Sequence, residues 1–183
     1  MGAAKRYLSA NEYLRDVWRL AAAVRGGGWR PDILIALWRG GAPVGVAIHE
    51  FLKTTGWDMR HLAVKCCCYT GIGETADTVT FECAGEVLGS IRPGERVLFV
   101  DDVFDTGKTA AAVRGLMERR GIEMRLATVY WKRPCNKTNL APDYFVKDVS
   151  GDWIVFPHEI EGLTPDELVE KDPELADLSR GIS

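Results

Sequence analysis

No apolar run in the chain approaches the length of a membrane span, and the N-terminus lacks the apolar core of a signal peptide. A cytoplasmic protein with no membrane partner is therefore expected. Long basic tracts are missing too. The 23 Lys and Arg stand against 26 Asp and Glu, a net charge of −3, which argues against general affinity for nucleic acid. The five cysteines are an odd number and nowhere show the Cys-x-x-Cys spacing of a zinc or redox site. Cys66, Cys67 and Cys68 alternate across the faces of a strand-like run, so they are poorly placed to chelate one metal. Core packing as reduced thiols is expected of them. At 183 residues the chain is most simply one domain, large enough for a core without staples.

What is present centres on Glu95–Gly121. Val97-Leu98-Phe99-Val100 is an apolar run too short for a helix, and it ends in two adjacent carboxylates, Asp101 and Asp102. Asp105-Thr106-Gly107-Lys108-Thr109 forms a small-residue loop with a third acid. Ala110, Val113, Leu116 and Met117 then recur at helical spacing up to Gly121. Strand, loop and helix in this order place the loop where ligands sit in an open parallel sheet, with free N–H groups at the helix start for an anion. Gly107-Lys108-Thr109 matches the end of a Walker phosphate loop, but that motif needs a glycine where Asp102 stands, and it is excluded. Three acids beside a phosphate pocket must address something other than bare phosphate: ribose hydroxyls, a magnesium ion or a proton in transit.

VLFVDDVFDTGKTA resembles, over about fourteen residues, the phosphoribosyl pyrophosphate (PRPP) motif of the type I phosphoribosyltransferases. The resemblance implies an α/β fold: an open, mainly parallel twisted sheet flanked by helices, with a small C-terminal hood. It also implies that Asp101 and Asp102 hold the ribose hydroxyls and a magnesium ion, and that Asp105, Thr106, Gly107, Lys108 and Thr109 wrap the 5′-phosphate.

Along the rest of the chain, Ser9-Ala10-Asn11-Glu12 reads as a capping box. Tyr13, Leu14, Val17, Trp18, Ala21 and Val24 follow on one helical face, ended by Gly26-Gly27-Gly28. Ile33–Leu37 is a buried-strand run, Trp38-Arg39-Gly40-Gly41 a loop, and Val44, Ala47, Ile48, Phe51 and Leu52 mark a helix. Arg39, Gly40 and Gly41 thus stand at a second helix start. They resemble the pyrophosphate loop of the 6-oxopurine phosphoribosyltransferases, with Trp38 in place of the usual Ser, and this implies a cis peptide between Trp38 and Arg39. His61–Cys68 reads as a strand, and so does Thr78–Cys83. Between them the resemblance implies a flap, at about residues 69–80, that closes over the reacting centre and adds Tyr69 to the PRPP-binding residues.

Glu123–Trp131 is the next strand and leads into Lys132; residues 136–163 read as short strands and turns, a base-binding hood above the 1–135 core. The order Lys, Trp-Ile, Pro-x-Glu is similar to the base-recognition end of the xanthine-guanine and hypoxanthine-guanine enzymes. It implies that Lys132 donates to a purine 6-oxo group, Trp153 stacks on the base, Ile154 offers its backbone, and Glu159 helps hold magnesium. An indole face suits a flat heterocycle, and an ammonium suits a carbonyl oxygen. Thr164-Pro165-Asp166-Glu167 starts a helix in an acidic tail, 164–183, with no chemistry assigned.

The function implied is purine salvage by a glycosyltransferase. PRPP and a 6-oxopurine (xanthine, guanine or hypoxanthine) give the nucleoside 5′-monophosphate and pyrophosphate, with Mg²⁺ as cofactor and Asp105 as the catalytic residue that takes the base proton. A homo-oligomer, dimer or tetramer, is implied as well. The alternative is a regulator of the same fold that binds PRPP or a nucleotide together with nucleic acid; Lys132, Trp153 and the negative net charge favour the enzyme.

Overall fold

The computed structural model describes residues 5–69, 78–81, 84–149 and 153–180. In chain order they form β1 (Lys5–Tyr7), α1 (Ala10–Gly26), β2 (Ile33–Trp38), α2 (Gly41–Thr54), β3 (Arg60–Tyr69), β4 (Thr78–Phe81) and α3 (Ala84–Ser90). There follow β5 (Arg96–Phe104), α4 (Lys108–Glu118), β6 (Glu123–Trp131), β7 (Tyr144–Asp148), β8 (Trp153–Val155), α5 (Pro165–Lys171) and α6 (Pro173–Arg180). The chain divides into two compact units, Leu14–Gly151 and a smaller one made of Met1–Tyr13 with Asp152–Ser183.

The larger unit holds a six-stranded sheet in the order β4-β3-β2-β5-β6-β7, parallel except for the antiparallel β3–β4 pair. This is the open, mainly parallel α/β sheet expected from the sequence. The middles of its central strands, among them Ile33–Leu37 of β2 and Val97–Val100 of β5, are continuous apolar runs because both faces are covered there. Ile33, Ile35, Val97 and Phe99 pack with Ala110, Val113 and Met117 of α4 on one face. On the other, α2 comes so close that a Cβ on Gly45 would lie 2.7 Å from the Ala36 Cβ, which is why a glycine stands there.

Several bounds differ from the sequence reading. β5 does not stop at the apolar run: pairing with β6 continues through Asp101↔Thr128 and Val103↔Tyr130 to Phe104↔Trp131, so the acid pair lies on the strand. α4 begins at Lys108 and ends at Glu118, with Gly107 and Gly121 at positive φ (78° and 64°) on either side. Along α1, Val17, Leu20, Ala21 and Val24 are fully buried, but Trp18 is 44% exposed although it fits the apolar stripe.

The segment expected as a hood, 136–163, is divided. Tyr144–Asp148 lies in the large sheet as β7, parallel to β6, held in register by Asp143, whose carboxylate accepts from Leu126 N at 2.8 Å. β8 belongs to the smaller unit, where it pairs in parallel with β1. The acidic tail forms two helices. Thr164 and Glu167 make a reciprocal capping box at the start of α5 (2.8 and 3.3 Å), with Pro165 in the first turn as read from the sequence. Residues 70–77, most of the expected flap, and Glu82 and Cys83 lie outside the described residues. No described helix is long and apolar enough to cross a membrane.

Candidate active site

In the larger unit β2, β5 and β6 run parallel, and the chain leaves each at the same edge of the sheet. After β2 comes a cis peptide, Trp38–Arg39, then Gly40 and Gly41 at the start of α2. Neither glycine could carry a side chain. A Cβ on Gly40 would lie 2.0 Å from Asp102 Oδ2, and one on Gly41 would lie 2.4 Å from the Val100 carbonyl oxygen. The expected pyrophosphate loop and the acid pair are therefore in direct contact, with the Arg39 side chain exposed beside them.

The two acids are held by the backbone that follows each: Asp102 N donates to Asp101 Oδ1 at 3.0 Å and Val103 N to Asp102 Oδ1 at 2.7 Å. Withdrawal from water, and then the neighbouring Asp102 charge, push the Asp101 carboxyl well above the usual carboxylate range. Beyond Phe104 the chain turns through Asp105, Thr106 and Gly107 into α4. Gly107 has φ 78° and a crowded Cα, so a side chain there is excluded on both counts. Asp101, Asp105, Thr106, Gly107 and Thr109 line one recess of about 80 Å³.

Lys132 follows the end of β6 and meets one acid of this recess. Its backbone N donates to the Phe104 carbonyl at 2.8 Å, and its buried ammonium lies 3.2 Å from Asp105 Oδ2. Residues 27 apart in sequence meet because β5 and β6 end at matched positions. Of the residues expected to act, Gly40, Gly41, Asp101, Asp102, Asp105, Thr106, Gly107, Lys108, Thr109 and Lys132 are thus gathered in and around these three loops, with Arg39 at their rim. Tyr69 ends β3, where its backbone pairs with Thr78.

Trp153, Ile154 and Glu159 belong to the smaller unit. Trp153 opens β8 and is 59% exposed, Ile154 is buried and pairs with Arg6, and Glu159 Oε2 accepts from Phe156 N at 3.1 Å. There, Lys171 donates to the Phe156 carbonyl at 2.6 Å and to the Glu159 carbonyl.

Two features escape the sequence reading. Thr128 lines the recess opposite Asp101, and its buried hydroxyl has no hydrogen-bond partner among the described residues. Its only sequence signal is a single threonine within the mostly apolar run Leu126–Trp131. The second is the turn after Lys132, where Lys137 N donates to the Thr106 carbonyl at 2.9 Å.

Compared with known proteins, residues 3–162 match the family model of the phosphoribosyl transferase domain. The chain belongs to the phosphoribosyltransferase family. Among the relatives of this phosphoribosyltransferase-family chain is a curated hypoxanthine/guanine phosphoribosyltransferase of Methanocella arvoryzae, 32% identical over 124 residues. The match covers 67% of this chain but only 61% of that relative's length. Among solved structures, the purine phosphoribosyltransferase of Pyrococcus horikoshii superposes with a TM-score of 0.65 at 28% identity, over 87% of this chain and 97% of that one. A Neisseria gonorrhoeae protein with bound ppGpp superposes with a TM-score of 0.73, over 98% and 99% of the two chains; at 20% identity it shows the shared fold.

Proposed function

We propose that the protein is a purine phosphoribosyltransferase that converts PRPP and a 6-oxopurine to the nucleoside 5′-monophosphate and pyrophosphate. One observation carries this reading: the Lys132 ammonium and the Asp105 carboxylate meet 3.2 Å apart at the mouth of the phosphate-type loop. A donor for a 6-oxo group and an acceptor for a ring proton are what an incoming oxopurine needs beside C1′ of a bound sugar phosphate.

The 5′-phosphate would sit on the amides of residues 106–109 at the start of α4, with Thr106 and Thr109 hydroxyls as further donors. The ribose hydroxyls would lie against Asp101 and Asp102. The bond from C1′ to pyrophosphate breaks with both electrons leaving on pyrophosphate, through an oxocarbenium-like transition state. Arg39 and the Gly40 and Gly41 amides receive the departing anion. N9 of the base bonds to C1′, and the proton the base releases passes to Asp105. Asp101 and Asp102 offer only oxygen donors, the chemistry that suits Mg²⁺, which when bound would neutralise charge on the pyrophosphate. Trp153 and Ile154 are assigned to the base and Glu159 to the metal on the family resemblance.

Spectrophotometric turnover with PRPP, Mg²⁺ and each purine in turn tests the reading. Activity with hypoxanthine, guanine or xanthine is expected; turnover with none of them, or with adenine alone, would overturn it.

A further inference from the structure

The turn after β6 carries Lys132 and then crosses the phosphate loop. Arg133–Cys135 is a single helical turn, and Asn136, Lys137 and Thr138 follow it against Thr106 and Gly107. Besides the Lys137 N to Thr106 carbonyl bond (2.9 Å), the contact is steric. A Cβ on Gly107 would lie 2.4 Å from Thr138 Oγ1 and 2.8 Å from Asn136 Oδ1. Those two side chains are locked together. Asn136 Oδ1 accepts from both Thr138 N and Thr138 Oγ1 at 2.9 Å, and Asn136 Nδ2 donates to the Leu140 carbonyl at 2.8 Å. Leu140 N in turn donates to Thr138 Oγ1 at 3.2 Å. The amide oxygen and the hydroxyl are thus committed inside the segment, so what they offer the phosphate loop is shape.

That shape matters because of what it presses on. A glycine at positive φ just before a helix has more backbone freedom than any other residue there, and an anion site made of main-chain N–H groups binds tightly only if those groups are already aimed. A rigid cover on Gly107 removes that freedom before the ligand arrives. We infer that residues 136–138 are a brace that presets the phosphate loop, and that Asn136 and Thr138 are positioning residues for the 5′-phosphate of the substrate. The identity of that ligand rests on the proposed function. The brace begins four residues after Lys132, so one short turn sets both the base-side lysine and the phosphate-side amides.

The test is isothermal titration of the full chain with ribose 5-phosphate and, separately, with pyrophosphate, in the wild type and in Asn136→Ala, Thr138→Val and Thr138→Ser. Losing the hydroxyl that ties Thr138 to Asn136 and Leu140 in Thr138→Val should weaken ribose 5-phosphate about tenfold. Pyrophosphate, addressed by the Arg39–Gly41 loop, should keep its affinity. Thr138→Ser should restore sugar-phosphate binding, and Asn136→Ala should lose at least as much as Thr138→Val. A merely structural role would shift both ligands together, or the melting temperature alone, and either result overturns the brace. Should Asn136→Ala fail to fold, the two Thr138 variants still decide. A wild type that binds ribose 5-phosphate, paired with an unaltered Thr138→Val, sinks the brace alone. A wild type that binds no sugar phosphate sinks the proposed function and the brace with it.

Discussion

Asp16, on α1, is fully enclosed, and its carboxylate accepts hydrogen bonds from Arg19 at 2.7 Å, Tyr130 Oη at 2.9 Å and Lys147 Nζ at 2.6 Å. Asp101, within β5, has the Asp102 amide as its neighbour at 3.0 Å and a second carboxylate beside it. Withdrawal from water pushes both acids up. At Asp16 the bonds from Lys147, Tyr130 and Arg19 win and its carboxyl ends below the usual range, whereas Asp101 ends well above it. Pairing therefore decides the outcome more than burial does. The first acid fastens a helix to the sheet; the second is left short of positive charge at the edge where a ligand would supply hydroxyls or a cation.

The comparison can be broken most sharply at Asp105, whose cationic neighbour Lys132 is itself assigned to substrate. Asp105→Asn keeps the shape and removes the proton acceptor, so turnover should fall by about two to four orders of magnitude while PRPP binding changes little. Steady-state kinetics beside a binding titration would show it, and an equal loss in both would assign Asp105 to binding instead.

Next in size is Asp16→Ala, which removes the buried acceptor shared by Lys147, Tyr130 and Arg19 and should cost about 3–5 kcal/mol in chemical denaturation. The pH dependence has a definite sign. Because its folded-state carboxyl lies below the ordinary range, the stability Asp16 contributes is present above that range and is lost as pH falls through the folded value. A wild-type acid limb that did not flatten in an Asp16→Asn variant would refute this. Asp101→Asn should act in the opposite direction. Removing a poorly compensated acid should raise stability at neutral pH by about 1 kcal/mol, at the expense of ribose and metal binding. A fall in melting temperature would mean that Asp101 is structural.

How much of this could be read beforehand follows the same division. β2, β5 and β6 were legible because buried parallel strands are continuous apolar runs, and the acid-loop-helix order survives in any register. Trp18 was misread because periodicity reports a face, not how far the covering layer extends. Tyr144–Asp148 was misread because an edge strand and a strand of a separate hood share the same short, mixed pattern; the Asp143 to Leu126 bond that seats it is non-local. Thr128 and the Asn136–Thr138 turn were invisible for a related reason. Their importance lies in what stands opposite them, and strand register and loop closure fix that, while composition does not.

The opposite end of the sheet supplies the smallest and most discriminating test. There Asp32 accepts from Arg96 N at 2.9 Å and Arg96 Nε at 3.3 Å, and Glu95 accepts from Arg60 and from Arg92 N, both at 2.5 Å. Both carboxyls are drawn below the usual range, against some withdrawal from water, as at Asp16. Yet the Asp32–Arg96 side chains are 39% and 36% exposed, so solvent screens the pair and its worth is capped. Arg96→Gln should therefore cost less than about 1 kcal/mol, and less again in high salt, because the backbone bond to Asp32 remains. If pairing alone set the energy, Arg96→Gln would cost as much as Asp16→Ala. A cost several-fold smaller would show that a paired acid anchors this fold only where water is kept out.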